Sequence, residues 1–219
     1  MVTETLPSLT LLRNLPIFSR VPEDALGKIA RIAHHRRVVR GVTLVHAGEH
    51  TDSLYVLING SIKVMNTNEE GREVILAILG PGEFFGEMGM IDGSPRSATI
   101  VSTESCEFLV ITKDDFRQVL SENFEITLQI MKSLVHRLRE ADRKIESLAL
   151  EDVHGRVGNL LMDFSEIKGG RRIVTRKITK QDIAKMVGAS REMVSRVMKE
   201  LEVRGFFSVD DGVIVIHED

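Results

Sequence analysis

Between Phe124 and His154 the chain carries neither glycine nor proline, and apolar residues recur at Ile130, Leu134, Leu138, Ala141, Ile145 and Leu148. These spacings, 4-4-3-4-3, approach a period of 3.5. That is the narrow seam of a two-stranded coiled coil, not the broad stripe of a core-facing helix. Arg137, Arg139, Glu140, Asp142, Arg143, Lys144 and Glu146 surround the seam, a charge density that a buried helix rarely tolerates. A helix of roughly 27 residues, at ~1.5 Å each, spans about 40 Å. Asn123 is placed to cap its start, and Glu125 faces the positive end of the helix dipole. The pattern predicts a dimerisation helix and hinge over residues 123–152, with Leu134, Leu138, Ala141, Ile145 and Leu148 in a parallel homodimer interface.

The pattern on either side is different. Up to residue 35 it is helical, with Pro22-Glu23-Asp24 opening a turn and Ala25, Leu26, Ile29, Ile32 and Ala33 at helical spacing. From Arg36 it shortens into β runs: Val38-Val39, 43–45, 54–58, 61–65, 74–79, 98–102 and 108–111. Glycines fall between them, and Asn68-Glu69-Glu70-Gly71 marks a hairpin tip. Many short, evenly spaced strands indicate a barrel, sandwich or roll over residues 1–122. After the long helix, Val157, Leu160, Leu161 and Phe164 define another helix, expected to end at Gly169-Gly170, and Ile173-Val174 a short strand. Thr179-Lys180-Gln181-Asp182 reads as a capping box, Gly188 as a turn, and Ser190 as the cap of a helix with Val194, Val197 and Leu201 inside. Residues 206–216, broken by Asp210-Asp211-Gly212, read as a terminal hairpin. Residues 153–219 thus form a winged helix-turn-helix, with Arg191, Glu192, Ser195, Arg196 and Lys199 on one exposed face of its second helix. The fold class is α+β.

Charge sharpens this division. The 219 residues carry a net charge of −3, yet Gly155 to Arg204 hold twelve lysines and arginines against six acids. A basic block in an acidic protein points to a polyanionic partner. No apolar run is long enough to span a membrane, and no secretory leader is evident. Cys106 is the sole cysteine, so no intrachain disulfide can form and the cytoplasm is the expected compartment. The seven histidines are scattered. His34-His35 and His46/His50 are read as surface residues, and no metal site is expected.

Candidate chemistry concentrates in the irregular stretch 82–98. Its glycines expose backbone N–H groups that can cradle a phosphate, and Arg96 supplies a charge-assisted fork for the same anion. A carboxylate there, Glu87, suits a sugar hydroxyl rather than an anion. Together they describe a ribose-phosphate site, with an internal Glu–Arg ion pair as the alternative. Both side chains are expected near solvent. No nucleophile–base pair stands out, so no catalytic residue is assigned.

Phe85-Gly86-Glu87-Met88-Gly89 and Pro95-Arg96-Ser97-Ala98 resemble the phosphate-binding cassette of cyclic-nucleotide-binding domains. The resemblance implies that Glu87 holds the ribose 2′-hydroxyl, Arg96 the cyclic phosphate, and the backbone around Phe85, Gly86, Met88, Gly89 and Ser97 the remaining oxygens. Residues 178–184 and 187–196 closely resemble the DNA-binding domain of the cyclic-AMP receptor protein and fumarate-nitrate regulator (Crp/Fnr) superfamily, and the likeness extends over nearly the whole chain. It implies a β-roll for the N-terminal domain and base reading by Arg191, Glu192 and Arg196. Lys180 would contact phosphate, and Ser190, Ser195 and Lys199 would line the same double-stranded DNA. RNA polymerase is the further partner implied.

Two departures bear on the effector. A Thr-Ser pair on the long helix meets adenine in the cyclic-AMP receptor; here the matching residues are Ala141 and Asp142. Asp142 can accept from an adenine amino group or from the donors of guanine. One cysteine cannot hold an iron–sulfur cluster. The expectation is a homodimeric transcription factor with no prosthetic group, controlled by cyclic AMP. Control by cyclic GMP or cyclic di-GMP, or ligand-independent DNA binding, are the alternatives. A regulatory module acting on a protein partner is the reading from another class, and the helix-turn-helix argues against it.

Overall fold

The computed structural model describes residues 7–50 and 52–217. The chain divides into two compact units, the first ending at His136 and the second beginning at Arg137.

In the first unit, α1 (Leu9–Arg13), a 3-10 turn at Pro16–Phe18 and α2 (Glu23–Ile32) precede the strands. Strands β1 (His34–Val38), β2 (Thr43–Val45), β3 (Ser53–Asn59), β4 (Ile62–Thr67), β5 (Glu73–Leu79) and β6 (Phe84–Phe85) follow. Then come α3 (Glu87–Asp92), β7 (Thr99–Ser102), β8 (Cys106–Thr112) and α4 (Lys113–Glu122). The strands form two antiparallel four-stranded sheets, ordered β1-β8-β3-β6 and β2-β7-β4-β5, the β-roll that the family resemblance implies and one of the three architectures the short runs allow. Alternation along β3 explains the layering. Tyr55 and Leu57 face the second sheet in a core with Ile62, Phe85, Ile100 and Phe108. Leu54 and Val56 point the other way, into a second core built with α1, α2 and α4 through Leu12, Leu26, Ile29, Phe116 and Val119. The residues of β3 from Leu54 to Leu57 are buried without interruption because both faces are covered. Asn68 closes the β4–β5 hairpin by accepting from the amides of Glu70 and Arg72.

The long helix, α5, runs Phe124–Leu150, as the absence of breakers predicts. The structure departs from the expected pattern at several points. Strand β1 begins at His34, two residues before the predicted change of pattern. Helix α4, capped by the Thr112 hydroxyl accepting from the Asp115 amide, was not anticipated. Asn123 does not cap α5: its side-chain amide donates to the carbonyl of Val119 at 2.9 Å, finishing α4 instead. Ile130 leaves the predicted seam as well. With Ile126 it is buried in the core of its own unit, and Leu134 packs against that core.

In the second unit α6 (Val153–Asp163) is capped by Asp152, whose carboxylate accepts from the Gly155 amide. Strands β9 (Ser165–Lys168) and β10 (Arg171–Val174), helices α7 (Lys180–Val187) and α8 (Arg191–Val203), and strands β11 (Phe207–Asp210) and β12 (Val213–Ile216) follow. Gly169-Gly170 turns the β9–β10 hairpin rather than ending a helix, because the chain has already left α6 at Asp163. The four strands make one sheet, β11-β12-β10-β9. Val157, Leu161, Ile183, Val187, Val194, Val197 and Phe207 form the core shared by the three helices and the sheet. No helix among the described residues is long and apolar enough to cross a membrane.

Candidate functional site

The cassette is built where β6 runs into α3. Gly86 sits between them with φ +95 and caps α3, so Glu87 begins the helix with its side chain turned inward. Glu87 is 1 % exposed and Arg96 9 %, which corrects the expectation that both lie near solvent. Phe85 and Gly89 are buried with them, whereas Met88 and Ser97 are exposed. The backbone carries Arg96 into place: its amide donates to the Glu49 carbonyl and its own carbonyl accepts from the Gly48 amide, each at 2.8 Å. Its guanidinium spends one nitrogen, Nη2, on the Ser53 carbonyl at 3.0 Å. Nε and Nη1 are buried and have no hydrogen-bond partner. Burial pulls the Arg96 pKa below its ordinary value, and the Tyr55 phenol and the carboxylates of Asp52, Glu87 and Glu49 push it back up. The group remains charged at neutral pH, because a guanidinium holds its proton far above the physiological range. A buried cation with open donors is costly until an anion fills them. Ser97 is tied to the hairpin behind it, its carbonyl accepting from the Asn66 side chain at 3.0 Å.

Asp142, assigned to the same ligand from sequence, is exposed on α5 within the second unit. The predicted interface residues Leu138, Ile145 and Leu148 are 62 %, 66 % and 54 % exposed and Ala141 is exposed, while Leu134 is half-buried. Sequence reasoning missed Met131 and Val135, which are exposed and apolar on the part of α5 that belongs to the first unit; Val135 stands three residues before Leu138 and Met131 four before Val135, and that spacing was the available signal.

In the second unit the capping box is present: the Thr179 hydroxyl accepts from the Asp182 amide and donates to its carboxylate, while the Thr179 amide donates to the same carboxylate. Gly188, left-handed, ends α7, and Ser190 caps α8 by accepting from Met193. Lys180 stands exposed in the first turn of α7. Arg191, Glu192, Arg196 and Lys199 are exposed on α8 with Ser195 half-buried among them, and Val194, Val197 and Met198 turn inward. One contact had no sequence signal: His154 Nε2 lies 2.6 Å from Glu200 Oε2 and ties the start of α6 to α8 across 46 residues of chain. That hydrogen bond holds the Glu200 carboxyl below its ordinary value, and the cap on Gly155 does the same for Asp152. Cys106 is buried, and its thiol, raised by burial and donating to the Ser61 and Glu104 carbonyls, is neutral. No group of three or more potential metal ligands occurs among the described residues.

A buried arginine–carboxylate cassette on a β-roll, joined through a long helix to a winged helix-turn-helix, defines a ligand-responsive DNA-binding regulator. The chain is matched by the cyclic nucleotide-binding domain family at residues 35–123 and by the Crp-like helix-turn-helix domain family at residues 155–218. It is 39% identical over 182 residues to the cAMP-activated global transcriptional regulator CRP of Haemophilus influenzae, covering 80% of each chain. It is 35% identical over 201 residues to the cAMP-activated global transcriptional regulator Vfr of Pseudomonas aeruginosa, covering 87% of this chain and 92% of that one. Among solved structures it is similar to the c-di-GMP responsive global regulator CLP of Xanthomonas campestris, with a TM-score of 0.75 and 27% identity over 90% of this chain and all of the other. The chain belongs to the Crp/Fnr family of transcription regulators, a family of DNA-binding proteins rather than enzymes.

Proposed function

We propose that the protein is a cytoplasmic homodimer that binds a palindromic DNA site under the control of cyclic AMP and acts on transcription through RNA polymerase. The observation that carries the ligand reading is the open, buried Nε and Nη1 of Arg96, beside a buried Glu87 on a glycine-capped helix. An anion and a hydroxyl on one small molecule satisfy both. In this reading the backbone at Phe85, Gly86, Met88, Gly89 and Ser97 cradles the remaining oxygens. The names of two relatives, both cAMP-activated regulators, favour cyclic AMP. Asp142 in place of a hydroxyl pair, and the c-di-GMP responsiveness of CLP, support cyclic GMP or cyclic di-GMP as the second reading.

The exposed apolar stripe of α5 supplies the dimer, through Leu138, Ala141, Ile145 and Leu148 with Leu134 at its edge. Two copies of α8 then enter adjacent major grooves with half-sites about 34 Å apart. Arg191 and Arg196 read guanines, Glu192 accepts from a cytosine, and Lys180, Ser190, Ser195 and Lys199 hold the backbone and the edges of the site. The half-site should resemble TGTGA. A thermal-shift panel of cyclic AMP, cyclic GMP and cyclic di-GMP tests the ligand. The true effector at a hundredfold over its Kd raises stability by about 2.7 kcal/mol, and a flat response to all three refutes control by these nucleotides.

A further inference from the structure

Tyr55 is the only tyrosine in the chain, and there is no tryptophan. Its position on β3 directs the ring into the core between the two sheets, where it is 7 % exposed. Register pairs it with Phe85, the last residue before the Gly86 turn. The two rings accordingly lie stacked, with centroids 4.8 Å apart and planes within 1°. Phe108 meets both edge-on at 6.0 Å, so the ring has little freedom to tilt. Two guanidiniums are set on this fixed ring. Arg96 Cζ is 5.9 Å from the Tyr55 centroid and Arg36 Cζ 5.7 Å, both within cation–π range. Arg36, on the edge strand β1, also donates from Nη1 to the phenol oxygen at 3.0 Å.

We propose that Tyr55 is the positioning residue for Arg96, its π face and the Ser53 carbonyl together fixing where the guanidinium meets the ligand phosphate. This rests on the cyclic-nucleotide reading above. Both groups come from β3, two residues apart and so on the same side of the strand's alternation: the Ser53 backbone takes Nη2, and the Tyr55 ring attracts the cation. A side chain as long as arginine has many rotamers, and burial alone would not choose among them. A ring quadrupole held in a packed stack does choose, because the attraction falls once the cation leaves the face. The Arg36 bond locks the phenol end and so stiffens the platform. Arg96 then presents Nε and Nη1 in one orientation, and the site distinguishes the two exocyclic oxygens of a cyclic phosphate.

The two phosphorothioate diastereomers of cyclic AMP and of cyclic GMP, in which sulfur replaces one or the other exocyclic oxygen, read that orientation directly. Affinities of the full-length protein are measured by calorimetry, and in the parent also by the emission of Tyr55 itself. The parent should prefer one diastereomer. Tyr55→Leu should weaken cyclic-nucleotide binding by about tenfold, on the scale of one lost cation–π contact, and bring the two diastereomers close to equal. Because a leucine can leave a cavity, the same position is also occupied by phenylalanine and by 3,4,5-trifluorophenylalanine, which keep the ring shape while fluorine empties the π face. The phenylalanine protein should retain the preference and the fluorinated protein should lose it. Equal loss for both diastereomers with their ratio intact, or a ratio indifferent to fluorination, overturns the assignment while Arg96→Ala still abolishes binding. A parent that binds none of the probes overturns the cyclic-nucleotide reading and this inference with it.

Discussion

Gly86→Ala isolates the geometry of the cassette. A β-carbon built on Gly86 falls 2.2 Å from Arg96 Nη1 and 2.6 Å from the Ser53 carbonyl oxygen, where ordinary contact begins near 3.4 Å. The guanidinium must therefore retreat by about 1 Å, enough to abandon its hydrogen bond and its station opposite the ligand. Two costs follow. Holding alanine at φ +95 takes roughly 1–2 kcal/mol, which appears as lower stability of the free protein. Displacing Arg96 removes a charge-assisted bond to the phosphate of about 1.5–3 kcal/mol, which appears as roughly a 10- to 150-fold loss of affinity. Gly93→Ala is the control. Gly93 caps the other end of α3 at φ +78 with nothing within 4 Å of its added carbon. It shares the backbone strain and lacks the collision. Calorimetric titration with cyclic nucleotide, alongside thermal melts of the free proteins, should show both variants destabilised and only Gly86→Ala impaired in binding. Equal affinities for the two variants would refute a role for Arg96 in placing the phosphate.

Leu138→Glu should leave the protomer's stability within about 0.5 kcal/mol, since the side chain is 62 % exposed. It should dissociate the dimer by setting like charges across the seam, and a variant that sediments as the parent does would move the interface elsewhere. The depressed Glu200 carboxyl gives a signed pH dependence. A folded-state value below 4.5 means a contribution present above that pH and lost as pH falls through the lowered value. The melting-temperature gap between parent and His154→Ala should therefore close on acidification below about pH 4.5, and a gap that widens there would contradict the assigned bond. Arg196→Ala should cost about 1–3 kcal/mol at one base pair of each half-site. Lys180→Ala should weaken all sequences alike and reduce the salt slope by about one unit per subunit; enrichment of a non-palindromic site from random DNA would overturn the assignment of these side chains.

The hydrophobic pattern carried much of the fold because periodicity is local. The seven β runs, the breaker-free α5 and the Thr179–Asp182 box are written in neighbouring residues, and each matches an element. What failed turned on competition from an adjoining element or on contacts distant in sequence. Asn123 has the right chemistry for a helix start, yet it bonds backwards to Val119, because α4 lies immediately before it. Ile130 fits a coiled-coil register, but the core of its own unit claims it. Glu87 and Arg96 were identifiable as a pair, while their burial was not. It follows from β3 supplying Ser53 and Tyr55 some forty residues earlier, which no spacing rule connects to Arg96. The His154–Glu200 bond was invisible for the same reason.

The central claim is that one small molecule in the cassette governs DNA binding by α8. Fluorescence anisotropy of a labelled palindrome carrying two TGTGA half-sites, titrated with the protein at fixed salt with and without cyclic AMP, tests it most directly. Saturating nucleotide should tighten binding by roughly 5- to 150-fold, the usual range of allosteric coupling, and Arg96→Ala should abolish the difference while leaving basal DNA binding in place. Identical curves with and without cyclic AMP, cyclic GMP or cyclic di-GMP would contradict it.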